Sequence, residues 1–238
     1  MLEIACYINI GKRPYNDDRV LINDKLVSEG TYTETTESCC LVAVCDGVGG
    51  ADFGFEAAEI TLNTFVSHST DFQSAESTAD FQSADIENII SQANNAVIKA
   101  QRKDAQHSKM ATTIAGLYIN NNDFIAFNIG DTRIYRFRSP YIMQLSTDHV
   151  NEEQKNALTR FIGGNRAIPN IVDGKDRVFE NDIYVLCSDG VWGTLKNEDF
   201  ENIIINNDKL EIMCESLVEL ALEKRSTDNM SIIIVKRR

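Results

Sequence analysis

Leu41-Val42-Ala43-Val44-Cys45 runs straight into Asp46-Gly47-Val48-Gly49-Gly50, and Tyr184-Val185-Leu186-Cys187 runs into Ser188-Asp189-Gly190. Each stretch is a short apolar run with no polar face, the pattern of a strand covered on both sides. Each delivers an aspartate followed by glycine to its end. The glycine lets the backbone turn sharply and approach a ligand closely, so that side chain and carbonyl oxygen can face one ion. One such Asp-Gly alone is read as a turn; two after buried strands point to a site.

Working outward, further β-rich runs are Ala5–Ile10, Thr113–Ile119, Phe124–Ile129, Arg133–Phe137, Tyr141–Leu145 and Ser231–Val235, each bounded by Gly, Asn, Asp or Pro. The cluster Asn120-Asn121-Asn122-Asp123 reads as a hairpin turn, because Asn and Asp tolerate left-handed backbone angles. Helical spacing appears in Phe55, Ala58, Leu62, Phe65 and Val66, in Ile86, Ile89, Ile90, Ala93, Val97 and Ala100, and in Leu210, Met213, Leu217, Leu220 and Ala221. Strands grouped apart from helices predict an α+β fold: a four-layer αββα sandwich of two antiparallel sheets flanked by helices. Residues 1–238 are read as one domain. Between the first two helices a nine-residue near-repeat spans residues 69–85; two copies make no solenoid, and the tract is expected to be an enlarged surface loop.

The chain carries 23 Lys+Arg against 36 Asp+Glu, a formal charge of −13, which argues against nucleic acid or a membrane surface as partner. No apolar run approaches the roughly 18 residues of a membrane span. The first ten residues show no basic leader, so a cytoplasmic location is expected. Six cysteines without a CxxC are read as reduced core thiols, and three scattered histidines leave little for a zinc site. More acids stand near strand ends: Asn16-Asp17-Asp18, Gly130-Asp131 and Thr227-Asp228-Asn229. If these ends share one edge, the carboxylates repel one another unless divalent cations sit among them, and all-oxygen ligation favours Mg²⁺ or Mn²⁺.

In order, Arg13-x-x-Asn16-Asp17-Asp18, Asp46-Gly47-x-Gly49-Gly50, Ala111-Thr112-Thr113, Asn128-Ile129-Gly130-Asp131-Thr132-Arg133, Thr147-Asp148-His149, Leu158-Thr159-Arg160, Ser188-Asp189-Gly190-Val191-Trp192 and Asp228-Asn229-x-Ser231 resemble the motif series of the metal-dependent protein phosphatases of type 2C, in bacterial form. The resemblance runs from about residue 7 to 235. It implies a serine/threonine phosphatase acting in signalling, which hydrolyses phosphoserine and phosphothreonine by attack of a water bridging two Mn²⁺ or Mg²⁺ ions. Asp46 would bridge the ions, Asp189 and Asp228 would hold one, and Asp17 with the Gly47 carbonyl the other. Asp131 with Asp189 would take a third, weaker ion, and Arg13 would bind substrate phosphate. The implied partners are a phosphorylated protein and a cognate serine/threonine kinase, with the enzyme a monomer.

Departures from the family pattern are Asp17 where many members carry Glu, Val48 where many eukaryotic members carry His, and Ala111 for Gly. The stretch 150–157 is a shortened flap, which predicts an open site and a dedicated substrate. His149 is expected to be a buried hydrogen-bonder, Trp192 core or a shelf beside the site, Arg133 an ion-pairing orienter, and Cys45 and Cys187 inert packing. The alternatives are a catalytically silent phosphatase-like regulatory module that binds a kinase or phosphoprotein, and an unrelated α+β domain whose acids are surface turns. Retention of Asp46, Asp189 and Asp228 favours the enzyme over the first.

Overall fold

The computed structural model describes residues 1–48, 53–74, 81–103, 105–151, 153–154, 157–173 and 177–238. Gly49-Gly50 of the first motif and residues 75–80 of the duplicated tract lie outside them. In chain order the strands are β1 (Leu2–Asn9), β2 (Arg19–Ile22), β3 (Lys25–Val27), β4 (Gly30–Thr36), β5 (Cys39–Cys45), β6 (Gly47–Val48), β7 (Ala111–Thr112), β8 (Ile114–Asn120), β9 (Asp123–Ile129), β10 (Arg133–Arg138), β11 (Tyr141–Gln144), β12 (Asn170–Asp173), β13 (Ile183–Cys187) and β14 (Met230–Arg237). The helices are α1 (Gly54–Ser67), α2 (Ser69–Ser74), α3 (Ser83–Gln101), α4 (Asp189–Trp192), α5 (Asn197–Ile205) and α6 (Leu210–Glu223).

Two six-stranded sheets form, in the orders β11-β10-β13-β14-β1-β4 and β12-β9-β8-β5-β2-β3, with antiparallel pairings throughout. Strand alternation sorts the side chains into layers. From β5, Cys40, Val42 and Val44 face the space between the sheets, where they meet Ile4, Ile8, Leu117, Leu186 and Ile233. Leu41, Ala43 and Cys45 face the other way and pack under Leu62 and Phe65 of α1 and Ile86, Ile90 and Val97 of α3. On the far side, Ala5, Val185, Ile232 and Ile234 pack under Met213, Leu217 and Val218 of α6. This is the αββα sandwich expected from the sequence. The β8–β9 hairpin turns at Asn121, whose φ is 56°, between the paired Asn120 and Asp123.

One expectation needs correcting. Ser69–Ser74 of the duplicated tract is helical rather than an open loop, and Phe72 and Phe81, at equivalent places in the two copies, are buried. Their ring centroids lie 4.4 Å apart, and each packs against Tyr118. The duplication therefore contributes a pair of aromatic anchors to the core under α1 and α3, where each ring buries a large apolar surface.

Candidate metal centre

Strand register carries the acids to one edge of the sandwich. Arg19 pairs with Cys45, which sets Asp17 and Asp18 beside Asp46; Asn9 pairs with Met230, which sets the segment after β1 beside Asp228. Cys187 pairs with both Ile232 and Arg133, which brings Asp189 between Asp228 and Asp131. Asp46 is fixed through its backbone: its N–H donates to Thr113 Oγ1 at 3.1 Å, and its carbonyl accepts from the Thr112 hydroxyl and the Thr113 N–H, each at 2.9 Å. The Ala111-Thr112-Thr113 motif is thus the bracket of Asp46, and β7 pairs with β6 to hold Gly47. Gly47 has to be glycine, since a Cβ there would lie 2.4 Å from the Gly54 carbonyl carbon. That close approach seats the start of α1 against Asp17, whose Oδ1 accepts the Phe55 N–H at 3.1 Å. A carboxylate at a helix N-terminus is also favoured by the helix dipole.

Asn229 ties the opposite wall together. Its Nδ2 donates to the carbonyls of Ile10 and Tyr15, both at 2.9 Å, and its Oδ1 accepts the Asp17 N–H at 3.0 Å. Gly190 passes close to the Asn229 carbonyl, where a Cβ would come within 1.9 Å. Arg13 Nη2 donates to Asp228 Oδ2 at 2.7 Å, and Asp228 holds the guanidinium firmly charged. Asp18, one of the strand-end acids but given no role from sequence, is 1% exposed. Ser188 Oγ donates to its Oδ2 at 2.9 Å, while Oδ1 is buried without a hydrogen-bond partner among the described residues. The signal for Asp18 lay in its place directly before β2, a strand too short to show a period.

Asp131 is held by its main chain. Trp192 Nε1 donates to its carbonyl at 2.9 Å, and the Gly130 N–H donates to His149 Nδ1 at 3.1 Å. His149 is buried, and burial followed by the nearby Arg160 charge lowers its pKa, so its imidazole is neutral and accepts at Nδ1. Arg133 turns to Asp148, with Nε at 3.0 Å from Oδ1 and Nη2 at 2.6 Å from Oδ2, and lies 3.4 Å from the centroid of the Trp192 ring. His149, Trp192 and Arg133 are therefore supports. The cysteines are all free, and burial raises the thiols of Cys45 and Cys187 far from reactivity.

The electrostatics are those of like charges crowded out of water. Burial, then repulsion from Asp18, Asp189, Asp131 and Asp228, raises the Asp46 carboxyl well above the ordinary range. Asp189 is raised by burial and Asp228, and it lies within hydrogen-bonding reach of Asp46. Burial and Asp189 push Asp131 up to about 6; burial and neighbouring aspartates push Asp18 up to about 7. Asp17 is raised by burial as well. Among the described residues no three Asp, Glu, His or Cys side chains close around one point tightly enough to hold an ion unaided. An oxygen-only donor set that is incomplete around each point, with one buried orphan oxygen, fits a hard cation that keeps several waters, as Mg²⁺ does. The structure thus gathers Asp17, Asp46, Gly47, Asp131, Asp189 and Asp228 with Arg13 at the rim.

Of the segment predicted as a shortened flap, the two described ends meet. Val150 bridges to Leu158, and the Asn151 N–H donates to the Ala157 carbonyl at 2.9 Å; residues 152, 155 and 156 lie outside the described residues. Among the described residues no helix is long and apolar enough to cross a membrane.

Comparison with known proteins places this geometry in a family context. Residues 21–225 match the family Protein phosphatase 2C. The serine/threonine phosphatase stp of Listeria monocytogenes serotype 4b (strain F2365) is 23% identical over 247 residues, covering 94% of each chain. A putative protein phosphatase of Mycoplasma genitalium is 26% identical over 218 residues, covering 82% of this chain and 84% of that one. Among solved structures, the S. agalactiae serine/threonine phosphatase superposes with a TM-score of 0.84 at 23% identity, covering 100% of both chains. The catalytic domain of the serine threonine protein phosphatase PstP, in complex with 2 manganese ions, gives 0.80 at 19% identity, covering 99% of both.

Proposed function

The chain belongs to the protein phosphatase 2C family and is a metal-dependent serine/threonine protein phosphatase, and from that premise we propose that the aspartate edge is its catalytic centre. The observation that carries the reading is the crowding of Asp46, Asp131, Asp189 and Asp228, with burial and mutual repulsion raising the first three carboxyls. Asp46 would hold two Mn²⁺ or Mg²⁺ ions jointly, with Asp189 and Asp228 on one side and Asp17 and the Gly47 carbonyl on the other. Asp131 and Asp189 would accept a third. Bound there, such ions supply an activated water as nucleophile and offset the charge of the phosphoryl group.

The chain's own residues do the positioning. Arg13 is anchored by one nitrogen to Asp228, and its remaining donors meet no other described residue, so they stand ready for two phosphate oxygens. Thr112 and Thr113 fix Asp46, Asn229 fixes Asp17, and Trp192 fixes Asp131, so the carboxylates are set before substrate arrives. Phosphorylated protein is the substrate class, and a dedicated phosphoprotein partner, phosphorylated by a cognate kinase, suits the few residues between His149 and Leu158. The test is p-nitrophenyl phosphate hydrolysis with Mn²⁺, with and without chelator, on the wild type and Asp189→Asn. Manganese-dependent turnover lost in the variant supports the reading; turnover that survives exhaustive chelation overturns it, and no turnover at all favours a silent phosphoprotein-binding module.

A further inference from the structure

The loop Ile10–Tyr15 combines a fixed backbone with open side chains. Asn229 donates to the carbonyls at both of its ends, the Gly11 N–H donates to Asn9 Oδ1 at 2.8 Å, and Arg13 is bonded to Asp228. Gly11, at φ 63°, presses so close to the Asp228 carbonyl that a Cβ would lie 2.1 Å from its oxygen. Pro14 fixes one further φ. Yet Lys12, Arg13, Pro14 and Tyr15 are all exposed, Tyr15 to 70%, and Ile10 is 43% exposed. Lys12 forms no ion pair with any described residue.

An exposed aromatic on a mobile loop would lose entropy on binding; on a backbone already held at both ends that cost is small. Tyr and Arg are also the residues that most often anchor interfaces. We propose that this loop is the surface that reads the chain flanking the phosphorylated residue, and that it prefers a segment carrying acidic side chains. The proposal rests on the phosphatase reading above. With Arg13 on the phosphate, Lys12 offers its charge to a neighbouring carboxylate and the Tyr15 ring offers an apolar face to the segment's backbone and side chains. Because the chain as a whole carries −13, an acidic segment gains at this loop what the overall field denies it.

The experiment uses two phosphothreonine peptides of equal length, one flanked by Glu and one by Lys, with every rate expressed relative to p-nitrophenyl phosphate hydrolysis by the same protein. The wild type is expected to prefer the acidic peptide by about fivefold in kcat/KM, carried mainly by KM, with the preference shrinking as salt rises. Lys12→Glu should abolish or invert it, and Tyr15→Ser should raise KM for both peptides. Thermal unfolding of each variant checks that the fold is intact. Equal or opposite preference in a wild type that turns over p-nitrophenyl phosphate overturns the loop assignment and leaves the phosphatase reading standing. Absence of manganese-dependent turnover on that small substrate overturns both.

Discussion

Replacing Asp18 by Asn should make stability in the presence of chelator less dependent on pH. Asp18 is 1% exposed, and its folded carboxyl is pushed up to about 7 from an ordinary 3.8. Between those two values the folded protein holds the proton and the unfolded chain does not, so stability falls as pH rises through the window. From about pH 5 to about pH 8 the loss from this carboxyl is on the order of 2–3 kcal/mol, since each tenfold change in proton activity is worth somewhat over 1 kcal/mol while the two states differ by one proton. Asparagine keeps the shape and can still accept the Ser188 hydroxyl, but it does not ionise. Urea unfolding of both proteins at the two pH values, with chelator throughout, reads the difference directly. The variant should gain on the wild type by about that amount at the higher pH, and Mn²⁺ should shrink the gain by favouring the ionised carboxylate. A variant-minus-wild-type difference equal at both pH values would refute the account of Asp18 as a buried carboxyl forced to ionise.

Three further outcomes are expected. Asn229→Ala removes the hydrogen bonds to Ile10, Tyr15 and Asp17 and should lower stability by about 2–4 kcal/mol in urea unfolding while raising KM for p-nitrophenyl phosphate; an unchanged KM would detach Asn229 from Arg13 and Asp17. Phe81→Ala should cost about 3–5 kcal/mol as a core truncation, whereas a loss below about 1 kcal/mol would return the duplicated tract to the surface. Gly47→Ala should destabilise by about 1–3 kcal/mol through the contact with Gly54 and weaken Mn²⁺ binding in calorimetry, because α1 and Asp17 must move apart; wild-type affinity in that variant would show the close approach to be dispensable.

The long strands were legible because they are buried on both faces or alternate cleanly. The runs Leu41–Cys45 and Tyr184–Cys187 lie within the strands Cys39–Cys45 and Ile183–Cys187 and end on the same residues. Arg19–Ile22 and Lys25–Val27 were not legible, since three or four residues give no period, and Gly30–Thr36 lies at the edge of its sheet with alternate residues exposed. Missing Arg19–Ile22 also left Asp18 without a role. The tract at 69–85 looked like a polar loop because its two phenylalanines are nine positions apart, and only the packing around Tyr118 shows that they meet.

The sequence by itself determined that apolar runs end in aspartate and glycine, that oxygen donors outnumber any nitrogen or sulfur set, and that three helical faces must cover the sheets. These are local properties of composition and period. Which aspartates meet, and which groups hold them, was decided by the tertiary structure. The pairings of Arg19 with Cys45, Asn9 with Met230, and Cys187 with Ile232 and Arg133 join segments up to more than 200 residues apart. A slip of one residue in any of them would turn a buried face outward, so the cores fix the register, and the register fixes the carboxylates.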